Sequence, residues 1–379
     1  MSATFDAVVI GGGVMGAAAA VRLAKSGMRV ALCEARQLGM GASGVNAGTL
    51  SMQTKRVPLI PYAVRGYDLW KRAGEAVGFR ETGSLTLAYS ESEAAGLHQR
   101  MMARRNAGAP IELITSAAAR SLEPRLRDDL VAASYCAADG YANASLTGVY
   151  YRALLREAGA EVRELTPVLK IAHGGSGVSV QIPAGELRAK RALLATGAWA
   201  KRMAEEIDIP LPIRLRVNTV SATERTAPLI RTLIAHASGM LTLKQSGNGT
   251  VVIGGAWQGR GTPDNWHGDI DPETLTANLR LAQYVLPDLA SARLARAWTG
   301  FEAQTPDSVP LAGLLPGTSN VFVLCCVRSG YTIGPYIGTL MGDLMLGREP
   351  ELPLFDPARF FQDVQGQARG ASRPTPTSR

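Results

Sequence analysis

Apolar positions in the first 34 residues fall into two short unbroken runs with a helix-period stretch between them. Val8, Val9 and Ile10 close the first run and 29–33 forms the second; the intervening 14–24 is alanine-rich. Runs of this length read as strands covered on both faces, and the stretch between them as a helix lying on their sheet. The same reading predicts helices at 67–77, 91–107 and 146–158 and strands at 81–88, 162–168, 177–182 and 189–194. A hairpin is expected from 240–244 and 249–254 about Ser246, Gly247 and Asn248. Asp271 as N-cap and Pro272 at the first helical position open a helix to 286. A buried strand at 321–327 leads into a glycine-containing turn, with a helix after Pro335 to about 346. No repeat of 20–50 residues is evident. The order predicts a mixed α/β and α+β fold. A discontinuous Rossmann-like domain (1–75, 140–215 and 295–365) would hold an inserted antiparallel-sheet domain (76–139 and 216–294), followed by a disordered tail at 366–379.

Chemistry first enters at the turn after Ile10. Gly11-Gly12-Gly13-Val14-Met15-Gly16 has the spacing in which one glycine makes the turn, a second admits a pyrophosphate and a third seats the helix on the sheet. The diphosphate would rest on the helix N-terminus, whose unpaired amides and dipole favour negative charge. Glu34, eighteen residues past Gly16, stands at the end of the next strand. An acid there binds ribose hydroxyls and disfavours a 2′-phosphate. A second glycine-rich stretch, 39–49, would let backbone approach a flat or extended ligand closely, with Ser43 and Asn46 adding hydrogen bonds without bulk.

Composition narrows the class. The chain has 379 residues, 46% hydrophobic and 19% charged, enough for two substantial cores and ordinary for a folded protein. Its net charge of +8 is scattered, with no basic-aromatic stripe, which sets nucleic acid aside. Cys33, Cys136, Cys325 and Cys326 show no C-x-x-C and no zinc or iron–sulfur spacing, and His98, His173, His236 and His267 no ligand spacing. No metal and a cytoplasmic setting are expected. No stretch of about twenty apolar residues is present, so no membrane span is expected.

Several short motifs recur in a fixed order. They are the Gly11–Gly16 turn with Glu34; Ala42-Ser43-Gly44 through Asn46-Ala47-Gly48; Glu81-Thr82-Gly83-Ser84-Leu85; Asp139-Gly140; Ala195-Thr196-Gly197-Ala198-Trp199; Trp298-Thr299-Gly300; Thr305-Pro306-Asp307; and Arg328-Ser329-Gly330 ahead of Gly334-Pro335. Together they resemble the D-amino-acid oxidase superfamily of flavoproteins, which includes glycine oxidase, sarcosine oxidase and D-amino-acid dehydrogenase. The resemblance runs from Val8 to about Phe361. It implies non-covalent FAD, held by Gly11, Gly13, Val14, Met15, Gly16, Glu34, Ala35, Arg36, Ala42, Ser43 and Val168. Asn46, Ala47 and Gly48 would meet the isoalloxazine, with Thr196, Gly197 and Trp199 on the diphosphate side. Arg328, Gly330, Tyr331 and Thr332 would line the flavin edge, Arg328 stabilising negative charge on the reduced ring. The implied reaction passes a hydride from the carbon beside an amine nitrogen to flavin N5, leaving an imine that hydrolyses; no side-chain base is implied.

The sequence also departs from that pattern. Glu302 stands where simple amino-acid oxidases of the superfamily place a carboxylate-binding arginine. Thr332 replaces the late lysine of sarcosine oxidases, and Gly300 lies where those enzymes carry a flavin-linking cysteine. The variants around Phe301–Asp307 and 328–335 are nearer the flavin subunits of opine oxidases and of proline or hydroxyproline dehydrogenases, which work in hetero-oligomers and pass electrons onward. That resemblance implies a hetero-oligomer with other dehydrogenase subunits and allows a place peripheral to the membrane through an electron-acceptor partner. Candidate substrate residues are Lys244, Arg56, Lys55, Met240, Trp257, Glu302 and Tyr331. The expected partner is a small amine or amino acid: a secondary or D-amino acid, an imino acid or an opine. The alternatives are a flavin-binding subunit serving electron relay or assembly, and a dehydrogenase using another cofactor.

Overall fold

The computed structural model describes residues 4–325 and 330–361. Cys326, Arg328 and the tail at 366–379 lie outside the described residues. Strand Thr4–Ile10 forms the middle of the first sheet, parallel to Val30–Cys33 on one side and to Gly185–Leu194 on the other. Glu161–Arg163 and Val321–Cys325 extend the parallel set outward. Lys170–Gly174 and Gly177–Ile182 form a meander on the first half of Gly185–Leu194, and Leu311–Leu314 pairs antiparallel with Val321–Cys325. Ala7, Val8, Val9, Ala31, Leu32, Leu193 and Leu194 are fully buried, which is why these strands read as unbroken apolar runs.

Helix Val14–Lys25 covers one face of this sheet, and helix Gly330–Met345 lies along it. Their approach is close because Gly334, Gly338 and Gly342 face the first helix. A Cβ on Gly338 would sit 2.5 Å from the Met15 carbonyl oxygen. The second of these helices begins at Gly330 and contains Pro335, where a start after the proline was expected. Proline has no amide to donate to the carbonyl four residues earlier, that of Tyr331. The Trp70 indole N–H donates to this carbonyl instead, at 3.1 Å, from helix Ile60–Ala73.

The second sheet has the order Leu294–Gln304, Arg214–Arg225, Thr250–Gln258, Thr242–Gln245, Leu233–His236, Ser84–Ala88, Ala132–Cys136, Glu112–Thr115. Every neighbour pair is antiparallel except Leu233–His236 with Ser84–Ala88. Because Leu294–Gln304 belongs to this sheet, the division expected at 295 falls inside it. The strands alternate in the two-residue period of a sheet with unlike faces. Leu85, Leu87, Ile234, Leu243, Val251 and Ile253 pack into a core with Ala282 and Val285 of helix Pro272–Val285. The opposite face carries smaller or polar side chains, among them Thr86, Thr219, Thr242 and Gly254. Asp271 caps that helix as expected, accepting the Glu273 and Thr274 amides.

A small sheet of Thr49–Leu50, Gly140–Tyr141 and Arg80–Glu81 ties the chain between the larger two. Beside it Asp139 is completely buried, accepting hydrogen bonds from Ser51 Oγ (2.6 Å), Ser84 Oγ (2.7 Å) and Met52 N (2.9 Å). Burial pushes its carboxyl above the ordinary range, against the pull of those donors.

Candidate functional site

A cavity of about 710 Å³ runs between the glycine turn of the first sheet and the polar face of the second. At its inner end Gly11 has φ +106°, and a Cβ there would sit 2.4 Å from the Ala195 carbonyl oxygen. This is left-handed backbone against a neighbouring chain, the conformation only glycine takes without strain. Ser43 Oγ accepts the Val14 amide at 2.9 Å. Glu34 accepts the Gly12 amide on one carboxylate oxygen (2.7 Å) and the Arg36 amide on the other (2.9 Å). It therefore shapes the turn directly, and each oxygen keeps a lone pair for another donor.

Arg36, Trp199 and Trp266 stack at the outer edge of this end. The Arg36 guanidinium lies 5.7 Å from the Trp266 ring, and the two indole centroids are 4.7 Å apart. Trp199 Nε1 donates to the Pro263 carbonyl, joining the stack to the loop before helix Pro272–Val285. Val168 lines the same end from a loop. The strand expected at 162–168 stops at Arg163, since Leu165 turns to φ 52°. Trp266 carries no motif signal: it stands in a polar loop, far along the chain from Arg36 and Trp199.

Mid-cavity, the 39–49 stretch is well ordered by its own groups. It forms the short helix Ala42–Val45, and Asn46 Nδ2 donates to the Ala42 and Ser43 carbonyls while Asn46 Oδ1 accepts the Gly48 amide. Trp298 Nε1 holds the Val45 carbonyl at 2.6 Å, and Lys244 Nζ donates to the Ala47 carbonyl. Ala35, Ala42, Asn46, Ala47, Gly330 and Tyr331 line the cavity, whereas Gly48 and Thr332 stand behind the wall. Tyr331 Oη bonds Thr147 Oγ1 at 2.8 Å, and Thr332 Oγ1 reaches the Thr49 carbonyl.

The substrate candidates divide. Met240, Glu302 and Lys55 line the cavity; Arg56 is exposed on the outside, and Trp257 turns its indole N–H to the Met240 carbonyl off the wall. Lys244 is 5% exposed, packed behind Ala47 with Nζ 4.7 Å from the Tyr141 ring centre. Burial lowers its ammonium pKa to about 7. Glu302 accepts from Asn218 Nδ2 at 2.8 Å, and Asn218 in turn accepts from Gln258. Arg100, Arg104, Gln53 and His236 also line the outer end, although they fall in none of the motifs. His236 Nδ1 accepts the Gly239 amide at 2.9 Å and the Ser238 amide at 3.2 Å, and burial lowers its pKa, so the ring is neutral with its proton on Nε2.

Residues 6–344 match the model of the family described as DAO, FAD dependent oxidoreductase. The chain belongs to that family. Glycine oxidase of Geobacillus kaustophilus is 29% identical over 93% of this chain and 96% of its own. Its crystal structure superposes with a TM-score of 0.83. One of the subunits of opine oxidase from Agrobacterium tumefaciens is 27% identical over 94% and 97% of the two chains. L-proline dehydrogenase of P. horikoshii shares the fold, with a TM-score of 0.87 at 24% identity, over 96% of this chain and 99% of the other.

The cofactor of the family is FAD, and the cavity suits it. The first helix opens with no acidic residue in its first turn and no side-chain cap from Gly13, leaving an anion-seeking N-terminus at the wall. Thr196 Oγ1 is buried on that wall with no hydrogen-bond partner among the described residues, an orphan that a ligand oxygen would satisfy. Among the described residues no cluster of His, Cys, Asp or Glu could hold a metal, and no helix is long and apolar enough to cross a membrane.

Proposed function

We propose that this FAD-dependent oxidoreductase oxidises the carbon–nitrogen bond of an amine or amino acid to an imine, which water then hydrolyses to a carbonyl compound. The observation that carries this reading is the continuity of the cavity, from the Gly11–Glu34 turn, past Asn46, Ala47 and Tyr331, into a lobe on the second sheet. FAD bound there supplies a hydride acceptor at flavin N5. The chain's own residues orient the amine and exclude water. The polar face of Thr86, Thr219 and Thr242 forms the floor, and Tyr331 is fixed by Thr147. FAD is held non-covalently: Gly300 offers no thiol, and the Cys33 thiol on the wall is pushed up to about 11 by burial. Gly11, Gly13, Val14, Met15, Gly16, Glu34, Arg36, Ser43, Thr196 and Gly197 hold its nucleotide half in this reading. The buried free thiols Cys33, Cys136 and Cys325 suit the cytoplasm.

A second reading shares the chemistry but not the setting. The similarity to an opine oxidase subunit, over 97% of that chain, supports a flavin subunit that passes electrons to a partner. Both are tested by incubating the purified flavoprotein anaerobically with glycine, sarcosine, D- and L-proline, hydroxyproline, D-alanine or an opine and trapping carbonyl products. One compound is expected to yield a carbonyl product equimolar with flavin. No carbonyl from any of them would overturn amine oxidation; a single turnover with no reoxidation by oxygen favours the second reading.

A further inference from the structure

The outer lobe of the cavity carries concentrated positive charge. Arg100 and Arg104 lie four residues apart on helix Glu91–Asn106, hence on one face, and both line the lobe. Arg104 Nε donates to the Lys55 carbonyl at 2.8 Å, and Arg100 Nη2 to the Ala237 carbonyl at 2.7 Å. These bonds to neutral acceptors aim each guanidinium while using only part of its five-donor fork. Among the described residues no carboxylate pairs with either arginine. Glu93 of the same helix is engaged by the Tyr89 amide and the Ser238 hydroxyl. Burial, and then the neighbouring Arg100, lower the Arg104 pKa to about 10. Two close cations lining a cavity without a counter-charge form a site for an anion.

The sheet sets the distance of that site from the reacting centre. Ala47 meets the second sheet near Gly254, on the third strand, and at Lys244, on the fourth. Ala235, on the fifth, also lines the cavity, and Arg100 bonds the Ala237 carbonyl just past that strand. At about 4.8 Å per strand, the lobe begins roughly 5–10 Å beyond the point where Ala47 touches the sheet. That is the span of a short carbon chain, and Glu302 lies at the opposite end of the same face, on the first strand.

We infer that Arg100 and Arg104 bind a carboxylate at the far end of the substrate, so that the substrate class is an amine carrying a distal carboxylate: an acidic amino acid or an N-carboxyalkyl amino acid. This rests on the proposed amine oxidation. It gives two charge-assisted forks on helix Glu91–Asn106 the task of fixing the substrate's length.

The test compares matched pairs under anaerobic conditions: both enantiomers of glutamate against those of 2-aminobutyrate, and iminodiacetate against sarcosine. Flavin bleaching is followed in the wild type, Arg104→Gln, Arg104→Lys and the more exposed Arg100→Gln, each with its flavin content checked. The wild type should favour the distal-carboxylate member of a pair by about 10–100-fold, the size expected for charge-assisted hydrogen bonds. Arg104→Gln and Arg100→Gln should bring that ratio toward unity, and Arg104→Lys should keep part of it. Non-reacting glutarate should shift the wild-type flavin spectrum at concentrations where butyrate does not, and lose that advantage in the glutamine variants. Bleaching without preference, with glutarate no better than butyrate, overturns the anion site alone. Glutarate binding with no bleaching by any amine overturns amine oxidation alone.

Discussion

Lys244 carries the clearest consequence at the scale of one residue. Its ammonium is buried among carbonyls and an aromatic ring, and its pKa falls to about 7 from the ordinary 10.5. Between those values the unfolded chain binds a proton that the native state does not, so stability rises with pH across the window. Below about pH 7 both states are protonated and the burial cost is felt in full. Lys244→Met should remove this slope, which amounts to at most about 1.4 kcal/mol per pH unit. Denaturation at pH 7 and pH 9 should show the wild type gaining relative to the variant; a constant difference would mean that Lys244 stays charged in the fold. Glu34 shows how a residue reading can be right in place and incomplete in role. Its position after the second strand is legible from spacing, but its hold on the Gly12 and Arg36 amides belongs to the folded turn.

Among the elements, helix Gly330–Met345 depends on groups distant in the chain. Trp70→Phe should leave the Tyr331 carbonyl unmatched at a cost of about 1–3 kcal/mol. Pro335→Ala restores an amide at the same place, so the cost of Trp70→Phe should shrink in that background. A double-mutant cycle by urea denaturation measures it, and an unchanged cost would show that the indole contributes only packing. Gly338→Ala places a methyl 2.5 Å from the Met15 carbonyl oxygen and should force the two helices apart. A loss of about 1–3 kcal/mol is expected, with weaker FAD retention, since the first helix opens onto the nucleotide end. Normal stability and flavin content would contradict it. Apolar runs and the glycine turn make most strands and helices legible, because burial on both faces and left-handed backbone leave direct marks in a sequence. The start of the last helix is not legible, because a proline inside a helix depends on a donor 261 positions away. Val168 reads as strand because Val162, Leu165 and Val168 keep apolar positions recurring through 168, which hides the left-handed turn at Leu165.

On the scale of the molecule, two sheets of different construction meet at one cavity, each supplying half of a site. The parallel sheet supplies turns and a helix start that suit a diphosphate; the largely antiparallel one supplies a polar floor whose length is set by strand spacing. Motif order discloses the first half well, because backbone approach to a phosphate demands glycine at fixed spacing. The second half is largely hidden. Arg100 and Arg104 fall in a predicted helix that carries no motif; in the fold that helix packs on Ser84–Ala88, which pairs with Leu233–His236 beside the cavity. Arg56 and Trp257, chosen for their chemistry, fall off the wall: Arg56 is exposed at the start of the helical turn that follows Lys55, and Trp257 is drawn to the Met240 carbonyl.

The most direct test is the visible spectrum of the purified chain, recorded without oxygen before and after adding the amine panel, glutamate and iminodiacetate included. The account predicts a flavin spectrum that bleaches with at least one of these amines, while matched carboxylic acids lacking the nitrogen leave it oxidised. A flavin that stays oxidised with every amine, or a chain purified with no flavin and unable to bind added FAD, would contradict it.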